Sequence, residues 1–359
     1  MPADEVVLER CPSYEPDLVE KKVQVSLDHL GGMAAFVRPG QRVLLKVNLL
    51  TRRPPEDAVT THPALVRAVV REVQRAGGQP VIYDSPGGPF TRRSLEAIYE
   101  TSGLKEVALE TGAELNYNLA AVELEHTGSA LFHGLTLSKA VIEADVIINL
   151  PKLKSHGLTR YTGAVKNLFG CIPGLSKAEC HVRLPEVEPF SRFLVELARQ
   201  VAPALTIMDA VVGMEGEGPS AGTPRQLGLL LTSSSPFALD AVAVSLLGLK
   251  TAEVSTTRVA EEMGLVAPAR QIAVRGVRPD EVAVENFEVP PPGGSSFRLF
   301  GQRIPLGPLK KAAELLKPRP VFAPDKCRRC GVCIRNCPAK VLSLGTWVPQ
   351  VDLKNCIRC

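Results

Sequence analysis

The sequence predicts an α/β body, a mostly parallel sheet covered by helices, followed by a small cysteine-rich α+β domain. Three observations carry this expectation. Short apolar runs alternate with amphipathic helical segments from the N-terminus to about residue 270, as in a parallel sheet with helices on its faces. A stretch rich in proline and glycine, Val289 to Lys310, then breaks the pattern and reads as a linker. Six of the nine cysteines crowd into the last 33 residues. The expected organisation is a body over 1–288, a linker and helix over 289–317, and a metal-binding domain over 318–359.

The elements follow in order from periodicity and punctuation. "VVLER" is a short strand, and Asp17 to Leu30 is a helix whose Leu18, Val23, Val25, Leu27 and Leu30 supply apolar positions. Arg42 to Asn48 is a buried strand, His62 to Gly78 a helix with a glycine stop, and Pro80 to Gly88 a strand entering a turn. Next come a strand over Asp145 to Pro151, a helix over Tyr161 to Phe169 and a helix over Phe190 to Val201. Strands over Leu205 to Val212 and Leu227 to Ser233 and a helix over Phe237 to Leu247 complete the body, as one large domain or two joined lobes. A helix over Lys310 to Leu316 leads into the cysteine domain.

With 359 residues, 45% of them apolar, the chain has ample material for a core. Its net charge of +4 is too small to argue for nucleic acid. The N-terminal "MPADEVVLER" holds no continuous apolar stretch, and no apolar run reaches bilayer length. The expectation is a soluble cytoplasmic protein with neither a nucleic-acid nor a membrane partner.

Cys327, Cys330, Cys333 and Cys337 are spaced C-x2-C-x2-C-x3-C and followed by Pro338. This is the bacterial ferredoxin run, in which three thiolates hold one 4Fe-4S cluster and the fourth ligates a second. Zinc sites more often use two separated C-x-x-C pairs, and disulfide frameworks belong to secreted chains. "DKCRRC" and "LKNCIRC" form a short repeat offset by 29 residues, which adds Cys356 and Cys359 as ligands. The second copy supplies two of its four expected cysteines, so a chain continuing past Cys359 is expected, with two clusters when complete. Between Arg319 and Cys359 there are eight Lys or Arg and two Asp or Glu. They either compensate cluster charge or form a docking face for an acidic electron carrier.

Ligands of open parallel sheets bind beyond the carboxyl ends of the strands. Those ends offer Lys46 and Asn48, then Asp84, then "KLKSHGLTRYTGAVKNLFG". This last segment gathers Lys152, Lys154, His156, Arg160, Lys166 and Asn167 around a loop and a helix start. Thr159 or Thr162 is placed to cap that helix, which leaves backbone N–H groups and cations aimed at a carboxylate or phosphate. Lys154 and His156 are the candidate catalytic residues. Asp209, Glu215 and Glu217 either bind a divalent cation, face the basic loop or belong to a polar connection. The formal G-x-S-x-G at Gly218 to Gly222 is no nucleophile elbow, because Pro219 spoils the turn and all six histidines precede Ser220. The sequence has no Rossmann or flavin fingerprint, so it assigns no organic cofactor. Cys11, Cys171 and Cys180 read as structural thiols, with the Cys180–His181 pair worth watching.

"LKVNLL", "VIYDSPGG", "INLPKLKSHGLTRYTGAVKNLFGCIPG", "MDAVVGMEGEGPSAG" and the cysteine run, in that order, resemble the iron–sulfur centre proteins of domain-of-unknown-function family 362 from about Val43 to Cys359. The resemblance implies a cytoplasmic α/β protein fused to a ferredoxin-like domain and implies no settled reaction. Two functions are open. One is a redox enzyme that passes single electrons to an anionic substrate, with an electron donor or acceptor protein as partner. The other is a non-catalytic electron-transfer or sensing subunit that docks through its basic loop.

Overall fold

The computed structural model describes residues 4–87, 90–124, 135–184, 186–291, 298–299, 302–303, 321–335, 337 and 341–353. The body opens with β1 (Glu5–Arg10), α1 (Pro16–Asp28), β2 (Arg42–Lys46), α2 (Pro63–Arg75) and β3 (Gln79–Tyr83). Two helices not foreseen in the sequence, α3 (Arg92–Thr101) and α4 (Leu104–Thr111), lead to β4 (Glu114–Leu115). A small hairpin of β5 (Ala121–Leu124) and β6 (Leu135–Ser138) precedes α5 (Lys139–Ile142) and β7 (Val146–Asn149). The remainder is β8 (Lys152–His156), β9 (Arg160–Thr162), α6 (Ala164–Asn167), α7 (Gly174–Arg183), α8 (Val187–Val201), β10 (Leu205–Glu215), β11 (Thr223–Ser233), α9 (Pro236–Leu246), α10 (Ser255–Glu262) and β12 (Ala273–Gly276).

One ten-stranded sheet runs through this body in the order β12-β1-β11-β10-β7-β2-β3-β4, with β8 beside β10 and β9 beside β8. The stretch from β10 through β7, β2 and β3 to β4 is parallel, whereas β11 is antiparallel to both β10 and β1. Buried on both faces, β7 and most of β2 are continuous apolar runs, as parallel strands between helix layers must be. Side-chain alternation divides the interior. Leu44, Val81 and Ile147 face a core shared with Val165, Phe190, Leu194 and Leu239. Val43, Leu45, Ile82 and Ile148 face one shared with Val23, Leu65, Val69 and Ile98. The "two lobes" alternative therefore resolves into two faces of a single sheet.

Helix starts follow local chemistry. Pro63 occupies the first position of α2 behind an His62 imidazole that accepts from Ala64 N at 3.2 Å, and Ser235 caps α9 ahead of Pro236 by accepting from Ala238 N at 3.1 Å. Gly78 passes so close to Val37, Val43 and Val73 that a Cβ there would overlap all three.

Three expectations need correction. The strands foreseen over Leu205 to Val212 and Leu227 to Ser233 extend to Glu215 and begin at Thr223, because the glycine-rich stretch closes an antiparallel hairpin whose ladder reaches Glu215–Thr223. The segment after Pro151 is not a loop but the β8–β9 hairpin. The helix foreseen over Tyr161 to Phe169 is one turn, Ala164–Asn167, running into a 3₁₀ turn at Leu168–Cys171. Beyond the body, the described residues include a short helix, Val332–Arg335, and an antiparallel pair, Leu342–Ser343 with Gln350–Val351. The helix expected over Lys310 to Leu316, Cys356 and Cys359 lie outside the described residues.

Candidate functional site

The carboxyl ends of β2, β3 and β7 meet the start of α6, and there the basic residues separate into two groups. Lys46, at the end of β2, is fully buried, with Nζ 2.7 Å from Asp84 Oδ1. Its ammonium also donates to Val47 O at 2.6 Å. Asp84 accepts in addition from Leu49 N at 2.7 Å and Ser85 N at 2.8 Å. Such saturation is what a buried ion pair requires to persist. Gly170 lies directly on the pair, since a Cβ there would collide with both Asp84 and Lys46.

Lys152, Lys154 and His156 alternate along β8 and so share one face of it. Lys152 sits opposite Asp209 in the β8–β10 ladder, and the two side chains pair at 2.9 Å with no exposure. Tyr14 OH accepts from Lys152 at 2.7 Å and donates to Asp209 at 2.7 Å. The backbone N–H of His62 donates to Asp209 at 2.9 Å, and the His62 ring stacks on Tyr14 at 3.5 Å. Burial lowers the Lys152 pKa and Asp209 opposes that shift. This cation is neutralised in place. Glu215, the other carboxylate near the hairpin end, pairs with Arg225 at 2.5 Å.

Lys154 is buried and, among the described residues, has no carboxylate partner. Its ammonium donates to Asn48 Oδ1 at 2.7 Å and Val59 O at 2.8 Å. Asn48 Nδ2 in turn donates to Asn167 Oδ1 at 3.0 Å, and Asn167 Nδ2 donates to Asn149 Oδ1 at 2.8 Å. A chain of three amides thus ties Lys154 to the ends of β2 and β7 and to α6. Burial first, then repulsion from Lys166 and Lys152, holds the Lys154 ammonium well below the ordinary lysine pKa.

His156 is neutral for the same reasons: burial, then the charges of Lys166, Lys154 and His181, hold its pKa well down. Its Nδ1 accepts from Leu158 N at 3.0 Å and Thr159 N at 3.3 Å, so the ring proton resides on Nε2. The imidazole therefore presents a donor.

Lys166 on α6 has its ammonium 5.9 Å from the centre of the Phe169 ring and, among the described residues, neither a hydrogen-bond acceptor nor an ion-pair partner. Burial holds it down to about 8. Lys177 on α7 donates to the Ser85 carbonyl and is likewise held to about 8 by burial, with Asp84 opposing the shift and Lys46 and Lys166 adding to it. His181, one turn further along α7, packs on Phe190 at 4.6 Å and Phe169 at 5.4 Å. Burial, then Lys166, holds it to about 4. The sequence reading missed Lys177 and His181 as members of this cluster. Their i, i+4 spacing, which puts both on one helix face, was the available signal.

The expected anion site at the α6 N-terminus is corrected, because a buried carboxylate from α9 already occupies it. Asp240 accepts from Ala164 N at 2.7 Å, Val165 N at 2.9 Å and Tyr161 OH at 2.9 Å. Burial raises its pKa to about 6 against the pull of these donors. Neither threonine caps the helix: Gly163 holds the cap position, and the Thr159 hydroxyl donates to Tyr161 O at 2.8 Å. Arg160, with φ +63°, pairs with Glu253 at 3.6 Å.

Cys11 and Cys171 are buried thiols that burial pushes up to about 11 and about 12. Cys180 is half-buried and forms no disulfide. Cys327, Cys333 and Cys337 are half-buried, Cys330 is exposed, and none forms a disulfide. Arg329 and Gly331, with φ +52° and +69°, curl the chain on either side of Cys330. Among the described residues no three His, Cys, Asp or Glu side chains are grouped to hold a metal ion.

A family model described as Domain of unknown function (DUF362) matches residues 43–245. The chain belongs to the DUF362 family. Every cluster residue from Lys46 to Asp240 falls inside this match, whereas the cysteine run lies beyond it. A relative from Synechocystis sp. (strain ATCC 27184 / PCC 6803 / Kazusa), "Thylakoid-associated protein sll1697", is 40% identical over 290 residues, covering 79% of this chain and 87% of its own length. Among solved structures, the lactate racemase apoprotein from Thermoanaerobacterium thermosaccharolyticum is similar with a TM-score of 0.40 and 14% identity, over 64% of this chain and 54% of that one. Among the described residues no helix is long and apolar enough to cross a membrane.

Proposed function

We propose that this DUF362 protein is an iron–sulfur redox protein, in which a C-terminal ferredoxin-like module passes single electrons to an anionic substrate or cofactor held by the α/β body. The observation that carries this reading is the cysteine run. Four thiols at C-x2-C-x2-C-x3-C, closed by Pro338 and outside any disulfide among the described residues, match in type and spacing the first cysteine run of a bacterial ferredoxin, three ligands for one 4Fe-4S cluster and one for a second. The curl at Arg329 and Gly331 suits a backbone that turns N–H groups toward a cluster's sulfurs. Cys356 and Cys359 would add ligands for a second cluster. A bound cluster supplies one-electron transfer, and the body supplies anion binding through Lys154, Lys166 and the neutral His156 donor, with Asn48 and Asn167 positioning the lysines.

The test is iron and acid-labile sulfide per polypeptide in protein purified without oxygen. About four irons with matching sulfide is the expected result for one cluster, and about eight for two. Zinc without sulfide would overturn the redox reading. The second reading, a docking subunit, loses support from the burial of Lys152 and Lys154. Contact with an electron donor or acceptor protein then falls to the basic residues between Arg319 and Cys359. We propose a cytoplasmic location, since thiolates that hold an iron–sulfur cluster need a reducing compartment. Fractionation of cells would test this against an association with membranes like the one the Synechocystis relative's name states.

A further inference from the structure

Three lysines share one acidic side chain, Asp84, at the carboxyl ends of β2 and β3: it is bonded to Lys46 at 2.7 Å and opposes the downward pKa shifts of Lys154 and Lys177. A fourth, Lys166, has no acidic partner among the described residues, and Lys46 and Lys166 each push down both Lys154 and Lys177. Among the described residues, the other titratable groups that act on the cluster add no net negative charge. His156 and His181 are neutral, the Cys171 thiol is protonated, and Lys152 is cancelled by Asp209. Asp240 faces Tyr161 and the start of α6 instead.

Lys166 lies over the Phe169 ring, which meets His181 one turn along α7 from Lys177. Both lysines are only partly buried and, among the described residues, have no ion-pair partner, while the amide chain fixes Lys154 in place. A singly charged ligand would leave this group of ammoniums with unbalanced charge. We infer that Lys166 on α6 and Lys177 on α7, together with Lys154 and the Nε2–H of His156 on β8, bind a small dianion, a phosphomonoester or a dicarboxylate. This rests on the anion-binding half of the function proposed above and narrows it to one charge class. It also excludes Lys46, Lys152 and Arg160 from direct contact, because each is committed to a carboxylate.

A dianion stabilises both ammoniums, so binding at pH 8 draws protons from the buffer. Calorimetry on the full-length protein at low salt, with inorganic phosphate, malonate and acetate as probes in two buffers of different ionisation enthalpy, tests this. The expected result is that phosphate or malonate binds at least tenfold tighter than acetate, with net proton uptake. Lys166→Met and Lys177→Met each weaken that binding at least tenfold, while Lys177→Arg retains it. Whether phosphate or malonate is preferred decides between the two ligand sources. If Lys166→Met does not fold, the Lys177→Met and Lys177→Arg pair carries the comparison. Acetate binding as tightly as the dianions would overturn the inference and leave a general anion site. Absence of binding by all three probes to folded, iron-loaded protein would overturn the anion site as well and leave the cluster reading intact.

Discussion

Lys152 and Lys166 belong to one short segment of chain and meet opposite fates. Lys152 is sealed against Asp209 and Tyr14 with no exposure, whereas Lys166 keeps partial access to solvent and has no acidic partner among the described residues. The first arrangement is structural: a buried charge whose neutraliser comes from the adjacent strand. The second is left open: a partly buried ammonium with no acidic partner among the described residues carries a desolvation cost that a bound anion would offset. A lysine-rich stretch is thus not one functional unit. Its members divide according to whether the fold supplies a carboxylate.

Breaking the first class should have the largest effect. Asp209→Ala strands the Lys152 ammonium in the interior and should cost about 3–5 kcal/mol in urea unfolding. The Asp209→Leu, Lys152→Met double variant should recover most of that loss, because apolar replacement of a buried pair is often near neutral. A double variant as unstable as the single one would show that Tyr14 and His62, not the charge pair, carry the stability.

The second class should reveal itself through pH. Lys166 and Lys177 titrate near 8 in the folded chain against an ordinary 10.5, so between these values the unfolded chain binds more protons. Stability therefore rises as pH increases through about 8 toward 10.5, the reverse of a salt-bridged lysine. The gain should be on the order of 2 kcal/mol after allowance for solvent screening, read as a higher melting temperature at pH 9.5 than at 7.5. Lys166→Met with Lys177→Met should flatten this slope, and millimolar phosphate should reduce it.

Smaller effects separate the supports of the two classes. Asp240→Asn presents an amide to two N–H donors and should cost about 1–2 kcal/mol at pH 7. Because the Asp240 pKa is raised from 3.8 to about 6, its ionisation favours the unfolded chain. The associated stability is complete below about pH 4 and lost as pH rises through 6, a slope that the variant should lack. Tyr14→Phe removes one shared hydroxyl and should cost about 1 kcal/mol.

The sequence by itself determined the α/β class, because alternating apolar runs and helical faces are local patterns that need no partner to be read. It likewise placed α1, α2, α8 and α9 within a few residues, through proline, serine and glycine signals at their ends. The cysteine run is legible from its spacing alone, and the cluster proposed for it rests on that spacing. The Lys-x-Lys-x-His alternation of β8 is equally local, since a period of two marks a strand, but its dense charge is also what a solvated loop would carry. What only the tertiary structure decided is which lysine meets which carboxylate. Asp209 lies 57 residues from Lys152, and Asp240 lies 76 residues from the amide it caps. Strand order and helix docking bring them together, and no local pattern encodes those distances. Whether a lysine is cancelled, or left to await an anion, is therefore a property of the sheet and not of the segment.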